Sequence, residues 1–211
     1  MDGQHHASGR RGRALGAVIV LVVGTGLLAA VPAQAGGPER DVTMLDNRYR
    51  PSAAVVTQGQ AVEFTNFGRV AHDAQDGTGL DLFSTDLLGP PETAIVGPLP
   101  GAGRFGYYCT FHPEMTGRFE VPVRISRTSV VRGGQVTVRW ATDRAPTGLV
   151  FDVQRRRPGS SQYVDWRSGV TTPAAKWWPS ARGEWAVRAR VRATSGGASS
   201  GWSPPRVLRV D

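Results

Sequence analysis

The chain is poor in the residues that usually hold a small exported protein together or bind metal. It has one cysteine, four histidines and three methionines in 211 residues. With Cys109 alone, no internal disulfide can form. Lys176 is the only lysine, so the basic charge is almost entirely arginine. Beyond residue 35 no apolar run is long enough to cross a membrane as a helix. Sustained helical periodicity is also missing. Short alternating runs separated by glycine and proline take its place, which is the pattern of an all-β protein.

The N-terminus reads as a targeting segment rather than as part of the fold. Arg10, Arg11 and Arg13 form a basic start, Ala14 to Val31 an apolar stretch, and Ala33-Gln34-Ala35 a small-residue cleavage signal. Residues 1–35 are therefore expected to be a signal peptide cleaved near Ala35, leaving an extracytoplasmic protein that is secreted or held in the periplasm or cell envelope. Removing that segment leaves two histidines (His72, His112), Cys109 and two methionines (Met44, Met115). A lone thiol in an oxidising compartment needs a partner chain, an inert buried position or a metal.

Charge divides the remainder. Residues 36–124 carry seven arginines against eleven carboxylates, a net charge of −4, whereas residues 125–211 carry a net charge of +10. Opposite signs suggest two domains, 36–125 and 126–211, each of a size usual for one β-sandwich. In the first, Asp41–Leu45, Ala53–Val56, Ala61–Thr65, Arg104–Tyr108 and Gly117–Ile125 read as strands, with a long excursion over 73–103. In the second, strands are expected at Gln135–Trp140, Leu149–Val153, Trp185–Ala193 and Pro205–Val210.

The string Tyr107 to Met115, YYCTFHPEM, places Cys109, His112 and Met115 at the spacing Cys-x2-His-x2-Met. A loop this short between two strands turns a thiol, an imidazole and a thioether toward one point. His72, just past the strand Ala61–Thr65, supplies a second imidazole. Two imidazoles and a thiolate with a weak axial thioether suit both oxidation states of copper, while a thioether is a poor zinc ligand. Each residue alone would read as core filler; the set together points to one copper ion.

Residues 41–124 resemble the plastocyanin, pseudoazurin and amicyanin type of cupredoxin. The resemblance rests on Tyr49-x-Pro51, Gly59, Val62, Phe64 and Asn66 leading to His72, then on Gly106, Tyr108, Cys109, His112, Pro113, Met115 and Gly117. It implies a Greek-key β-sandwich with a type 1 copper held by His72, Cys109, His112 and Met115. It further implies an Asn66 that stiffens the site by hydrogen bonding near the thiolate, and a His112 edge that serves as electron exit at an apolar surface. The Cys-x2-His-x2-Met loop looks like the short amicyanin loop. Asp73 departs from the family's usual Asn or Thr, and Glu114 sits between two ligands; two carboxylates there would favour Cu(II) and lower the potential.

Residues 127–211 resemble a fibronectin type III or related immunoglobulin-like sandwich, through Trp140, the WAVRARVRA strand and Ser200 to Pro204; Trp185 stands where that family usually has Tyr. Arg188, Arg190 and Arg192 line one face of the strand, with Arg139 and Arg156 expected to project nearby. They read either as a solvated face stiffened by stacking on tryptophan or as a docking surface for an anionic envelope polymer, a membrane surface or an acidic redox partner. Nucleic acid is not expected as a partner of an exported protein. No Cys-x3-Cys and no further histidines are present for a binuclear or trinuclear copper centre, so the expectation is an electron carrier, with an unidentified redox partner protein, and not an enzyme. Copper delivery without electron transfer is the alternative, against which stands the absence of Met-rich or His-rich tracts. A cell-envelope binding module with accessory copper is another.

Overall fold

The computed structural model describes residues 40–211; the expected signal peptide lies outside them. Every regular element among the described residues is a strand. The first eight are β1 (Arg40–Leu45), β2 (Arg48–Arg50), β3 (Ala53–Val55), β4 (Val62–Asn66), β5 (Gln75–Asp76), β6 (Thr93–Val96), β7 (Gly103–Tyr108) and β8 (Thr116–Val121). They form two four-stranded sheets, β2-β1-β4-β6 and β3-β8-β7-β5. The parallel neighbours β1–β4 and β3–β8 require the chain to cross between the sheets.

Period-two alternation explains the inner faces. In β4, Val62, Phe64 and Asn66 are buried while Glu63 and Thr65 are half-buried. Phe64, Phe83, Tyr107 and Phe119 meet Tyr49 and one another at centroid distances of 4.6–6.2 Å, mostly edge-on or tilted. Each such pair contributes about 0.5–1.5 kcal/mol beyond burial. Tyr107 lies opposite Gly117 across the β7–β8 ladder, and a side chain at Gly117 would run into its ring. The ligand-bearing loop between β7 and β8 thus springs from the end of a hairpin whose Tyr107 and Phe119 belong to this aromatic cluster.

The second sandwich contains β9 (Arg124–Ile125), β10 (Ser129–Val130), β11 (Val136–Arg139), β12 (Leu149–Arg156), β13 (Tyr163–Val170), β14 (Ala174–Trp177), β15 (Gly183–Ala193) and β16 (Arg206–Val210). Its sheets are β14-β11-β9 and β10-β16-β15-β12-β13. Trp185, Val187, Ala189 and Val191 are buried along β15, as its alternation predicts. The Trp185 indole N–H donates to Ala181 O at 2.9 Å, fastening the start of β15 to the turn before it. The Arg155 guanidinium lies 4.7 Å from the Trp166 ring and 5.1 Å from Trp177. Burial pushes its pKa down to about 10.

Two expectations need correction. The run Gly117–Ile125 is not one strand: Pro122 lacks the N–H a ladder needs, and the chain leaves β8 at Val121 and re-enters a different sheet as β9, paired with β11. Within the excursion 73–103, where no strand was expected, β5 and β6 each add an edge strand.

Residues 40–211 belong to one compact unit. Ala102 N–H donates to Trp140 O (2.6 Å), and Arg104 and Gly201 exchange backbone hydrogen bonds of 2.9 and 2.8 Å. The buried Gln58 amide donates to both Pro122 O and Arg139 O. At the junction Gly101 is buried, and a Cβ there would stand 2.7 Å from Phe151 Cε1 and 2.9 Å from Trp140 O. Both contacts are too close for relaxation at the backbone oxygen. Gly101→Ala is therefore expected to lower stability by about 1–3 kcal/mol. Because the core is continuous across the junction, tryptophan fluorescence, which reports the second sandwich, and amide exchange in β4 and β7 should shift together in urea. Separate transitions would show that the two sandwiches unfold independently.

Candidate metal centre

Two distant segments bring the donor atoms together. The first follows β4. Asn66 Nδ2 donates to Val70 O (2.8 Å) and Leu88 O (2.7 Å), and its Oδ1 accepts from Gly68 N–H (2.8 Å). The His72 backbone then pairs with Leu88 in both directions at 3.0 and 2.8 Å. This locks His72 under the surface with no exposed area. The second segment is the β7–β8 loop, closed by Cys109 N–H to Met115 O (3.0 Å) and Met115 N–H to His112 O (2.8 Å). Cys109 and Met115 are fully buried and His112 is half-buried.

The ligating atoms converge. His72 Nδ1 and His112 Nδ1 are 3.1 Å apart, and Cys109 Sγ is 3.9 Å from the first and 3.4 Å from the second. His72, Cys109 and His112 are the one such group of three among the described residues. Met115 is placed close by through the loop that carries Cys109 and His112. Two imidazole nitrogens this close can share at most one hydrogen bond, with one ring donating and the other accepting. One ion among them satisfies all three lone pairs, and the set of one sulfur and two nitrogens with a nearby thioether fits a single copper of the type 1 kind.

The electrostatics suit metal entry. Burial, and then the neighbouring His112, hold His72 below the usual imidazole range, so its ring is neutral with a lone pair to give. Burial pushes the Cys109 thiol up, so the proton stays on until a metal displaces it.

The structure places Asn66 differently from the expectation. Its two N–H groups donate to the loop before His72 and to Leu88, and not to the thiol region. Asp73 takes the bridging role: its Oδ1 accepts the Thr110 N–H at 2.7 Å and its Oδ2 accepts from Gln75 at 3.1 Å. Burial raises the Asp73 carboxyl, but these donors outweigh it and the net shift is downward, leaving a buried carboxylate. Glu114 is exposed.

Gly68 and Asp46 are site residues that the sequence did not single out. A Cβ at Gly68 would sit 3.0 Å from His72 Nε2 and 2.7 Å from Asp46 Oδ1, so only glycine lets this turn close over the ring. Asp46 Oδ1 accepts the Arg69 N–H (2.6 Å) and stands 3.8 Å from His72 Nε2. The Asn66-Phe67-Gly68 turn was a visible signal for the glycine. Asp46 gives none, since it arrives from the β1–β2 turn.

No family model matches the chain and no curated protein matches it. Solved structures do. A purple cupredoxin from Nitrosopumilus maritimus is 24% identical, with 39% of this chain and 99% of that one covered and a TM-score of 0.36. An oxidised amicyanin mutant is 20% identical over 38% of this chain and 79% of that one, TM-score 0.36. A copper-containing nitrite reductase from Thermus scotoductus SA-01 is 29% identical over 40% of this chain, TM-score 0.36, and the match spans only 22% of that enzyme. The structural neighbours are cupredoxins, over about two fifths of this chain.

The arginines of β15 are engaged within the protein. Arg188 donates twice to Gln154 Oε1 and lies 3.8 Å over Tyr163 and 4.8 Å over Trp202. Arg190 stacks on Trp202 and, with Arg192, pairs with Asp152 at 3.1 and 3.0 Å. Burial raises the Asp152 carboxyl, but Arg192, the Gly169 N–H and Arg190 overcome it, and the net shift is downward. A depressed folded-state pKa means that this stabilisation is present above the ordinary carboxylate range and is lost as pH falls through the folded value. Asp152→Asn should therefore destabilise the protein at neutral pH and flatten the acid limb of its stability curve. Urea midpoints measured from pH 7 downward check this, and an unchanged acid limb would contradict it.

Proposed function

We propose that this protein is an exported one-electron carrier whose single type 1 copper is held by His72, Cys109, His112 and Met115. The observation that carries the reading is the convergence of both Nδ1 atoms and Cys109 Sγ within 4.8 Å of one another. When bound, copper supplies a reversible one-electron change between Cu(II) and Cu(I). Cys109 would hold the ion as a thiolate, giving up its proton on becoming a ligand. His72, sealed beneath the Asn66-to-Leu88 stitching, keeps its position in either state. A donor set fixed by hydrogen bonds to the surrounding backbone needs little rearrangement when the charge at its centre changes.

His112 is the natural exit. It is half-buried, and Phe67, Val70, Leu87 and Phe111, on the loops that carry or pair with the two histidines, are exposed by 48–63%. An apolar rim of this kind suits transient docking of a redox partner protein. The basic second sandwich, proposed to be of the fibronectin type III kind, would hold the carrier near an anionic envelope polymer or membrane surface. The N-terminal basic and apolar segment supports export.

Addition of Cu(II) to residues 36–211 should produce an intense visible thiolate-to-copper band that ascorbate bleaches reversibly and that Cys109→Ser lacks. If no band forms in the native sequence, the four-ligand assignment fails. The two carboxylates should differ in their weight on the potential. Asp73 is buried and ionised, so Asp73→Asn should raise it, while Glu114→Gln, screened by water, should change it little. Voltammetry showing equal shifts for both would contradict this.

A further inference from the structure

The arginines of β15 are satisfied inside the fold, but Arg139, which lies on the other sheet rather than beside them as expected, and Arg124 are not. Arg124 in β9 and Arg139 in β11 stand directly opposite each other across an antiparallel ladder. Directly opposed residues share a face, and like charges there destabilise the pairing. Among the described residues neither guanidinium forms an ion pair. Arg139 makes only two long bonds from one nitrogen, Nη1, to Ala141 O and Thr142 O at 3.3 and 3.4 Å. The Arg124 side chain makes no hydrogen bond among the described residues.

The two arginines line a cleft of about 240 Å³ with Ile125, Ser126 and Thr137. Ser126 Oγ accepts the Thr137 N–H at 3.0 Å, which fixes its oxygen and leaves its O–H free to donate. Lys176 lies opposite Thr137 on the next strand, β14, so it belongs to the same face. The outer surface of the sheet β14-β11-β9 thus offers two forked guanidinium groups, a hydroxyl donor and an ammonium, with no carboxylate among the cleft-lining residues. Arginine forks match the paired oxygens of a tetrahedral oxyanion. The cleft is of a size for one such group and too small for a large organic ligand.

We propose that this cleft binds a phosphate-class oxyanion through Arg124, Arg139 and Ser126. Such a group is borne by free inorganic phosphate and equally by the phosphodiesters of an anionic polymer. The site lies in the second sandwich and is independent of copper.

The test is a titration of the whole protein, residues 36–211, with inorganic phosphate at fixed ionic strength, followed by amide and arginine side-chain NMR shifts. Saturable shifts centred on Arg124, Ser126, Thr137 and Arg139 are expected, weakened at least about tenfold in Arg139→Gln, which removes charge-assisted hydrogen bonds. A parallel arm uses a linear polyphosphate. Equal affinity per phosphate identifies a site for the single group, and much tighter polyphosphate binding that Arg139→Gln still abolishes identifies a chain-borne phosphate. Shifts that do not saturate, or that are the same in Arg139→Gln as in the native protein, would overturn the proposal. Arg188→Gln serves as control for general charge: its loss should leave phosphate binding at the cleft in place.

Discussion

The hydrogen bond from the Thr110 N–H to the buried Asp73 carboxylate joins the two segments on which the site depends. One segment carries His72 and is pinned to Leu88; the other carries Cys109, His112 and Met115 and is closed on itself by backbone bonds. Each segment is ordered by its own contacts. Their mutual position comes from the sandwich beneath them and from this bond across them. Removal of the acceptor would break this side-chain link between the two segments and leave the part-buried N–H beside the thiol to water.

The same economy explains how the chain holds together without a disulfide. Small exported domains often need one because their cores are small. Here two sandwiches are packed through Gly101, Trp140 and Phe151 and share a continuous core. The second is stiffened by cations on aromatic faces: Arg155 among Trp166, Trp177 and Trp185 inside, and Arg188 and Arg190 around Trp202 outside. Arginine suits both positions, since its planar guanidinium stacks where an ammonium cannot. That accounts for why a chain with one lysine remains so basic.

The metal ligands were legible because they are nearly the only residues of their chemistry left after residue 35. Strands with clean alternation, such as β4 and β15, were legible for the same reason: one face is buried and one is not. The short edge strands β5 and β6 were not, since edge strands of two to four residues carry too little periodicity to read. Nor was the break at Pro122, where one apolar run serves two sheets. Asn66 bonds elsewhere than expected and Asp73 makes the link to the ligand loop because side-chain amides and carboxylates bond to whichever backbone groups the loops present, and that is fixed by pairing between residues far apart in sequence. The pairing of Arg124 with Arg139 depends likewise on register, which the sequence does not display.

The central claim is that one sulfur and two imidazole nitrogens form a preset shell around a single copper ion. X-ray absorption at the copper edge, on the protein loaded with one equivalent and measured in both oxidation states, tests it most directly. The account predicts one short copper–sulfur contact and two imidazole nitrogens in each state, with little change between them. A shell of only nitrogen and oxygen, or one that gains or loses ligands on reduction, would contradict it.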